Sequence, residues 1–235
     1  MYNKIIQKML MQIKIDFKIF IIILIFLITR NIGIYAILMF FALIHELGHL
    51  LCGLLLGFKP ASISIIPFGF KLGFKVKCDD YNIKVKKGSK LTVKKILIAL
   101  AGPVTNAVCI LILVLINFIN AESITNIEQF QNAIYANILI ILFNLIPIYP
   151  LDGGRIMQGL IHIFIGLRES YSYVKTITNI NVILLTAISS ILILYYKNIA
   201  ILFVIIYLWI MVYKCNKEYN MKEKIYKQIS WNAWL

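Results

Sequence analysis

Long apolar runs alternate with short basic segments along the 235-residue chain. Runs of about twenty apolar residues are long enough to cross the hydrocarbon core of a bilayer as helices. The pattern predicts an all-α polytopic membrane protein with six transmembrane helices in one integral-membrane domain, residues 1–235. The predicted spans lie at about 17–31, 34–58, 96–119, 133–150, 177–195 and 199–213, and a basic tail follows at 214–235.

The basic residues predict how these spans are oriented. If the N-terminus is cytoplasmic and the six spans alternate, every lysine and arginine except Arg30 and Lys197 lies on the cytoplasmic side. Such an excess in cytoplasmic segments is the usual signature of membrane topology. We therefore expect a multi-pass protein with both termini in the cytoplasm. This topology explains the net charge of +14 through contact with lipid head groups, with no nucleic acid as a partner.

The segment between the second and third spans has a different period. From Pro67 to Lys87 apolar and polar residues alternate, with Asp79 and Asp80 at the break. A period of two with a polar break predicts a small cytoplasmic-side β-hairpin. It is either a loop at the lipid interface or a free strand edge that binds an unwound substrate by strand addition.

The candidate chemistry lies in the second span, in the pentapeptide His45-Glu46-Leu47-Gly48-His49. Histidines four residues apart project from one face of a helix, so both imidazoles can reach a single zinc ion. Glu46 lies beside such a metal and can accept a proton from a water molecule. Because ionisable side chains are costly inside hydrocarbon, a functional site is the main interpretation. The alternative is a set of polar residues that satisfy one another between helices.

A second polar segment follows the fourth span. Prolines, among them Pro147, interrupt the helix there, and Gly153 allows a tight turn of the backbone. Irregular backbone at membrane depth is tolerated where it lines protein or a water-filled cavity. Asp152 is therefore the candidate third metal ligand, which a catalytic zinc usually needs. The alternative is a helix-end carboxylate that pairs with Arg155.

The remaining histidine and the cysteines lack a ligand pattern. His162 lies in an interfacial stretch ten residues beyond Asp152, and we expect it to be a packing or surface residue. The cysteines are isolated from one another and are expected to be reduced thiols or small hydrophobic residues. They are Cys52, Cys78, Cys109 and Cys215.

Three motifs together resemble the site-2 protease family of intramembrane zinc metalloproteases, which is peptidase family M50. They are HELGH at 45–49, AGPVTN at 101–106 and NLIPIYPLDGG at 144–154, within a catalytic core of about residues 33–160. The combination is far more specific than any one of the motifs, since each alone occurs in unrelated proteins.

The resemblance implies a role for each site residue. His45, His49 and Asp152 hold one zinc ion per chain, and Glu46 is the general base. The residues that bind substrate or support the site are Asn144, Pro147 and Gly153.

Within the family, the compact chain is most similar to the stage IV sporulation protein FB type. That similarity implies regulated intramembrane proteolysis of a membrane-associated sigma-factor precursor of the pro-sigma-K type. Cleavage falls near the cytoplasmic face, on the mother-cell side of the forespore membrane, and membrane protein partners inhibit the enzyme. The tail at 214–235 is too short for the nucleotide-binding CBS domain common in that type, and no PDZ domain is expected.

Two other functions remain open from the sequence. One is a site-2 protease of another substrate range, acting on anti-sigma factors or signal-peptide remnants. The other belongs to a different class: a six-span metal transporter in which the same polar residues form a transit site.

Overall fold

The structure is a computed structural model that describes residues 12–15, 20, 27, 32–66, 69–75, 90–119, 127–196 and 200–232. Its strands are β1 (Gln12–Ile15), β2 (Lys59–Ile66) and β3 (Gly69–Lys75). Its helices are α1 (Ile32–Leu55), α2 (Lys90–Ile119), α3 (Ile127–Leu145), α4 (Asp152–Ile165), α5 (Leu167–Tyr196) and α6 (Ala200–Asn232). The predicted helical class with one small sheet is confirmed.

Three helices in the described part of the chain are long and apolar enough to cross a membrane. They are Ile32–Leu55, Lys90–Ile119 and Glu169–Tyr195, which overlap the second, third and fifth predicted spans. The fourth and sixth predicted spans overlap α3 and α6. The first predicted span lies outside the described residues apart from Phe20 and Leu27, which are helical. The count of six spans therefore stays a prediction.

A glycine ends α1 before the predicted boundary of its span at 58. Gly57 has a φ of 85°. Its N–H donates to the Leu54 carbonyl at 3.0 Å, and the Phe58 N–H donates to the Gly53 carbonyl at 2.9 Å. This pair of bonds is a Schellman cap, which satisfies the last carbonyls of the helix. The chain enters β2 directly after Phe58.

Two further boundaries differ from the prediction. The fourth predicted span continues to residue 150, but α3 ends at Leu145, because a proline at 147 disfavours helical backbone in the residue before it. The sixth predicted span ends at residue 213, but α6 continues through the predicted basic tail to Asn232.

The predicted hairpin between α1 and α2 exists, but its strands lie closer to α1. β2 and β3 pair antiparallel with Ile66 opposite Gly69, so the chain reverses between these two residues, whereas Asp79 and Asp80, the predicted break, lie outside the described residues. The segment predicted as the first strand of the hairpin is thus its second strand, β3. The strand predicted after Asp80 lies outside the described residues. β1 adds parallel to β2, which makes the strand order β1-β2-β3.

The described chain divides into two compact units. The first consists of Met1–Tyr81 and Leu97–Phe143, and the second of Asn82–Ile96 and Asn144–Leu235. In the first unit, Phe41 of α1 packs with Ala136 and Ile140 of α3, and Cys109 of α2 lies against them.

The core of the second unit forms around the irregular segment 146–151. Ile148 from this segment packs with Val182 of α5 and Val212 of α6, and at least 99% of each of these three side chains is buried. The burial of Ile148 anchors a segment that has no regular backbone pairing of its own, and Asp152 directly follows that segment.

Candidate metal centre

His45 and His49 lie one turn apart on α1, in the first unit, and both are buried, with 4% and 3% exposure. Their rings are nearly perpendicular, at 87°, with centroids 4.7 Å apart. The two Nε2 atoms are 3.1 Å apart. The shared face is the one that their spacing of four residues predicts for a helix.

Hydrogen bonds at the other ring nitrogens determine which nitrogen carries the proton. His49 Nδ1 lies 2.6 Å from the Ile98 carbonyl oxygen, and His45 Nδ1 lies 2.9 Å from Asn106 Oδ1. A carbonyl oxygen only accepts, so each Nδ1 must donate. In the neutral rings, each Nε2 then presents a lone pair.

Two lone pairs that face each other across 3.1 Å repel unless a cation or a proton lies near both of them. Two nitrogen ligands of one tetrahedral zinc, each at about 2.0–2.1 Å from it, are roughly 3.3 Å apart. The spacing and the chemistry of this histidine pair therefore fit zinc.

A glycine on α2 keeps the space in front of the histidines open. A Cβ placed at Gly102 would touch the Nε2 atoms of both His45 and His49. α1 and α2 approach closely here, since a Cβ at Gly48 would collide with the side chain of Thr105. A side chain at position 102 would fill the place where a metal contacts both rings.

Glu46 follows His45 on α1 and is half-buried. The next residue, Leu47, is 49% exposed, as expected for the lipid-facing side of a membrane helix. Glu46 is therefore the sequence neighbour of a predicted metal ligand, and its role as a base stays a prediction.

Asp152 is the first residue of α4, in the second unit, and its exposure is only 4%. Its Oδ1 accepts a hydrogen bond from Arg155 Nη1 at 3.3 Å, the contact that the alternative interpretation predicts. The Arg155 side chain is 38% exposed, so solvent weakens this pair. Such a contact does not by itself explain why the carboxylate is buried.

Two glycines after Asp152 let α4 start against its own preceding segment. A Cβ at Gly153 would collide with the backbone of Leu145, and one at Gly154 with the backbone of Ile148. Backbone atoms cannot move aside as a flexible side chain can, so any larger residue would displace the start of α4.

Polar side chains of α5 hold the segment before Asp152. The Tyr149 N–H donates to Thr178 Oγ1 at 3.1 Å, and Asn181 Nδ2 donates to the Pro147 carbonyl at 3.1 Å. These bonds satisfy backbone groups that an interrupted helix leaves without internal partners. Pro147 thus supports the segment through its carbonyl.

Asn144 lies in the last turn of α3 and is half-buried. Its predicted roles, to bind substrate or to hold the loop that carries Asp152, stay predictions.

His162, the third histidine of the chain, lies on α4 in the second unit. Its Nδ1 is 2.9 Å from Thr92 Oγ1. Burial, followed by the positive charge of Lys95, lowers the pKa of His162 below its ordinary value. These contacts agree with the predicted packing role.

The cysteines of the described chain form no disulfide bond. They are Cys52, Cys109 and Cys215, and Cys78 lies outside the described residues.

Three buried residues in the described part of the chain, His45, His49 and Asp152, have side chains that could hold a metal ion. Imidazole nitrogens and a carboxylate are ligands typical of catalytic zinc. Sequence reasoning missed residues that lie around the two histidines. Gly102 and Asn106 were noticed only as motif letters, and Asn137 was not noticed. The available signal was a polar residue within an otherwise apolar helical run.

The fold is that of a site-2 protease. A solved structure, the site-2 protease from Methanocaldococcus jannaschii, matches with a TM-score of 0.64 at 19% identity. The match covers 87% of this chain and 90% of that chain. The fold class and the apolar helices together identify a membrane protein.

The family model for peptidase family M50 matches residues 33–127 and 116–188. The chain therefore belongs to peptidase family M50. A zinc metalloprotease of Methanocaldococcus jannaschii is 27% identical over 170 residues, covering 70% of this chain and 44% of the relative. Stage IV sporulation protein FB of Bacillus subtilis is 26% identical over 132 residues, covering 56% of this chain and 41% of the relative.

The chain thus spans less than half the length of each of these two relatives. The matched family is a peptidase family and the relative from Methanocaldococcus jannaschii is named a zinc metalloprotease, which supports the predicted class, a metalloprotease with zinc as its cofactor.

Proposed function

We propose that the chain is an intramembrane endopeptidase that hydrolyses a peptide bond of a membrane-associated protein near the cytoplasmic face. The observation that carries the proposal is the pair of Nε2 lone pairs, 3.1 Å apart, inside an apolar helix and facing the space that Gly102 leaves open. Polar groups are costly at membrane depth, so two imidazoles that converge on one point there favour a metal site.

His45, His49 and Asp152 would hold the zinc ion through two imidazole nitrogens and one carboxylate. When bound, zinc supplies Lewis-acid chemistry that polarises the scissile carbonyl and lowers the pKa of a water molecule. Glu46 accepts the proton as the water oxygen bonds to the carbonyl carbon. Glu46 then gives that proton to the amine nitrogen as the carbon–nitrogen bond breaks.

The substitution Glu46→Gln tests this assignment. It removes the base without changing the size of the side chain, so cleavage of a co-expressed membrane-tethered precursor should stop while zinc content stays at one per chain. Glu128→Gln is the matched control, because Glu128 is an exposed acid in the first turn of α3. Normal cleavage by the Glu46→Gln protein would show that another group is the base.

The rival function, metal transport, predicts different results for the unsubstituted chain. A transporter moves metal into proteoliposomes and leaves co-expressed precursors intact. Metal flux by the unsubstituted chain, together with no cleavage of any precursor, would favour the transporter.

For the substrate, we propose a membrane-tethered sigma-factor precursor, with inhibitory membrane proteins as partners. The similarity to a sporulation protein of Bacillus subtilis supports this choice. Co-expression with such precursors, with anti-sigma factors and with signal-peptide remnants would distinguish the three substrate ranges.

We also propose six spans with both termini in the cytoplasm, which the distribution of lysines and arginines supports. An unwound substrate would add as a strand to β3. The support is that β2 has β1 and β3 on its two sides, whereas β3 pairs with β2 alone among the described strands.

A further inference from the structure

Two buried amides lie behind His45, within largely apolar stretches of α2 and α3. Asn106 on α2 and Asn137 on α3 both have 0% exposure. A buried amide is costly unless its donor and acceptor are both satisfied. Since apolar residues would fill the same space without that cost, the position and direction of these two amides call for an explanation.

The direction of the hydrogen bonds is determined by a backbone carbonyl at one end. Asn137 Nδ2 donates to the Ala133 carbonyl oxygen at 2.8 Å. Because that oxygen cannot donate, the amide nitrogen must face it, and Asn137 Oδ1 must face the other way. Asn106 Nδ2 donates to this Oδ1 at 3.0 Å.

The same constraint continues to the ring of His45. With its nitrogen turned to Asn137, Asn106 must present Oδ1 to His45 Nδ1, at 2.9 Å. The imidazole must then carry its proton on Nδ1 and its lone pair on Nε2. The tautomer of His45 thus depends on a carbonyl of α3 through two side-chain amides.

We propose that Asn137 is a positioning residue for the zinc site, which sets the tautomer of His45 through Asn106 although it does not contact the ring. The inference rests on the proposed zinc site. Without Asn137, the Asn106 amide can rotate and present its nitrogen to Nδ1. That rotation favours the tautomer with a proton on Nε2, which cannot bind a metal through that atom.

His49 provides an internal contrast. Its Nδ1 donates directly to the Ile98 carbonyl, so no side chain intervenes and substitution of the amides leaves its tautomer unchanged. The proposal therefore predicts an effect on one histidine of the pair and not on the other.

Nitrogen-15 NMR of histidine-labelled, zinc-free protein in liposomes is the direct test, because the chain has only three histidines. The unsubstituted protein should show His45 and His49 protonated at Nδ1. The Asn137→Leu protein should show His45 alone changed. A His45 ring already protonated at Nε2 in the unsubstituted chain would overturn the proposal without any variant.

Zinc affinity, measured by chelator competition, is the second readout. Asn137→Leu should weaken binding by about 10-fold, within the range for residues that orient metal ligands. Asn137→Asp should restore most of it, because a protonated carboxyl group donates to Ala133 and accepts from Asn106 in the same geometry. Ile140→Ala is the packing control, since Ile140 lies one turn further along α3 and belongs to the apolar cluster.

The outcomes separate cleanly. If Asn137→Leu binds zinc as tightly as the unsubstituted chain, or if Ile140→Ala weakens binding equally, Asn137 has no specific role. If the unsubstituted chain binds no zinc, the proposed function fails instead. Two results together would establish the positioning role: zinc affinity restored in the Asn137→Asp protein, and a change of tautomer confined to His45 in the Asn137→Leu protein.

Discussion

The two units place their predicted zinc ligands by different physical means. In the first unit, His45 and His49 extend from a regular helix, and hydrogen bonds to their rings orient the side chains. In the second unit, Asp152 follows an irregular segment that glycine packing and bonds from α5 hold in place. The histidine pair therefore depends on side-chain orientation, whereas the aspartate depends on the course of the backbone.

This difference teaches where each half of the site is vulnerable. A regular helix tolerates many substitutions on its exposed face. To bind a metal, however, each histidine ring needs its proton on Nδ1 and an open space in front of Nε2. The segment before Asp152 has no regular pairing to restore its shape, so a single added methyl group can displace it. Three substitutions test this contrast, beginning with the largest expected effect.

Gly102→Ala should weaken zinc binding more than any other substitution proposed here. The added Cβ would touch both Nε2 atoms, so the ring nitrogens could no longer approach one metal, and we expect a loss of about 100-fold or more in affinity. Zinc content of the purified protein is the measurement. Gly33→Ala is the matched control, because a Cβ at Gly33 meets nothing within 4 Å.

If the Gly102→Ala protein kept one zinc per chain at normal affinity, the space in front of the histidines would not be the metal position. That result would leave the fold untouched and remove the observation on which the histidine half of the site depends.

Gly153→Ala should act through stability in the second unit. Its Cβ would collide with the Leu145 backbone, and overpacking of this kind costs about 1–3 kcal/mol. Thermal unfolding in detergent would measure the loss, and histidine NMR should show both rings of α1 unchanged. A changed tautomer of His45 or His49 in this protein would contradict the proposed separation of the two mechanisms.

Arg155→Gln should have the smallest effect. Arg155 bonds the buried Asp152 through one contact of 3.3 Å, and its side chain is 38% exposed. Partly solvated pairs of this kind contribute roughly 0–1 kcal/mol. Unfolding and zinc content should therefore change little. A large loss of stability with zinc content intact would support the alternative in which Asp152 is a helix-end ion pair.

Local features of the site could be predicted from the sequence because they depend on neighbouring residues. A spacing of four places His45 and His49 on one helical face whatever the rest of the fold does. The helix break before Asp152 likewise follows from the fixed φ of proline and its missing N–H. The structure has both features.

The hairpin shows where local reasoning fails. The apolar period continues to Phe58 and concealed the glycine cap that ends α1 at Leu55. The alternation after Pro67 then appeared to contain both strands. The parallel pairing of β1 with β2 joins residues about fifty positions apart, and no local pattern encodes such a contact.

The sequence by itself determined the membrane-spanning character, the histidine pair and the protease class, because apolar length, helical spacing and motif chemistry are properties of short segments. Only the tertiary structure decided which ring nitrogen faces the open space. That choice depends on the Ile98 carbonyl, on Gly102 and on the two amides behind His45. These groups belong to other helices. The tautomer of each histidine ring depends on the groups that tertiary packing places beside it.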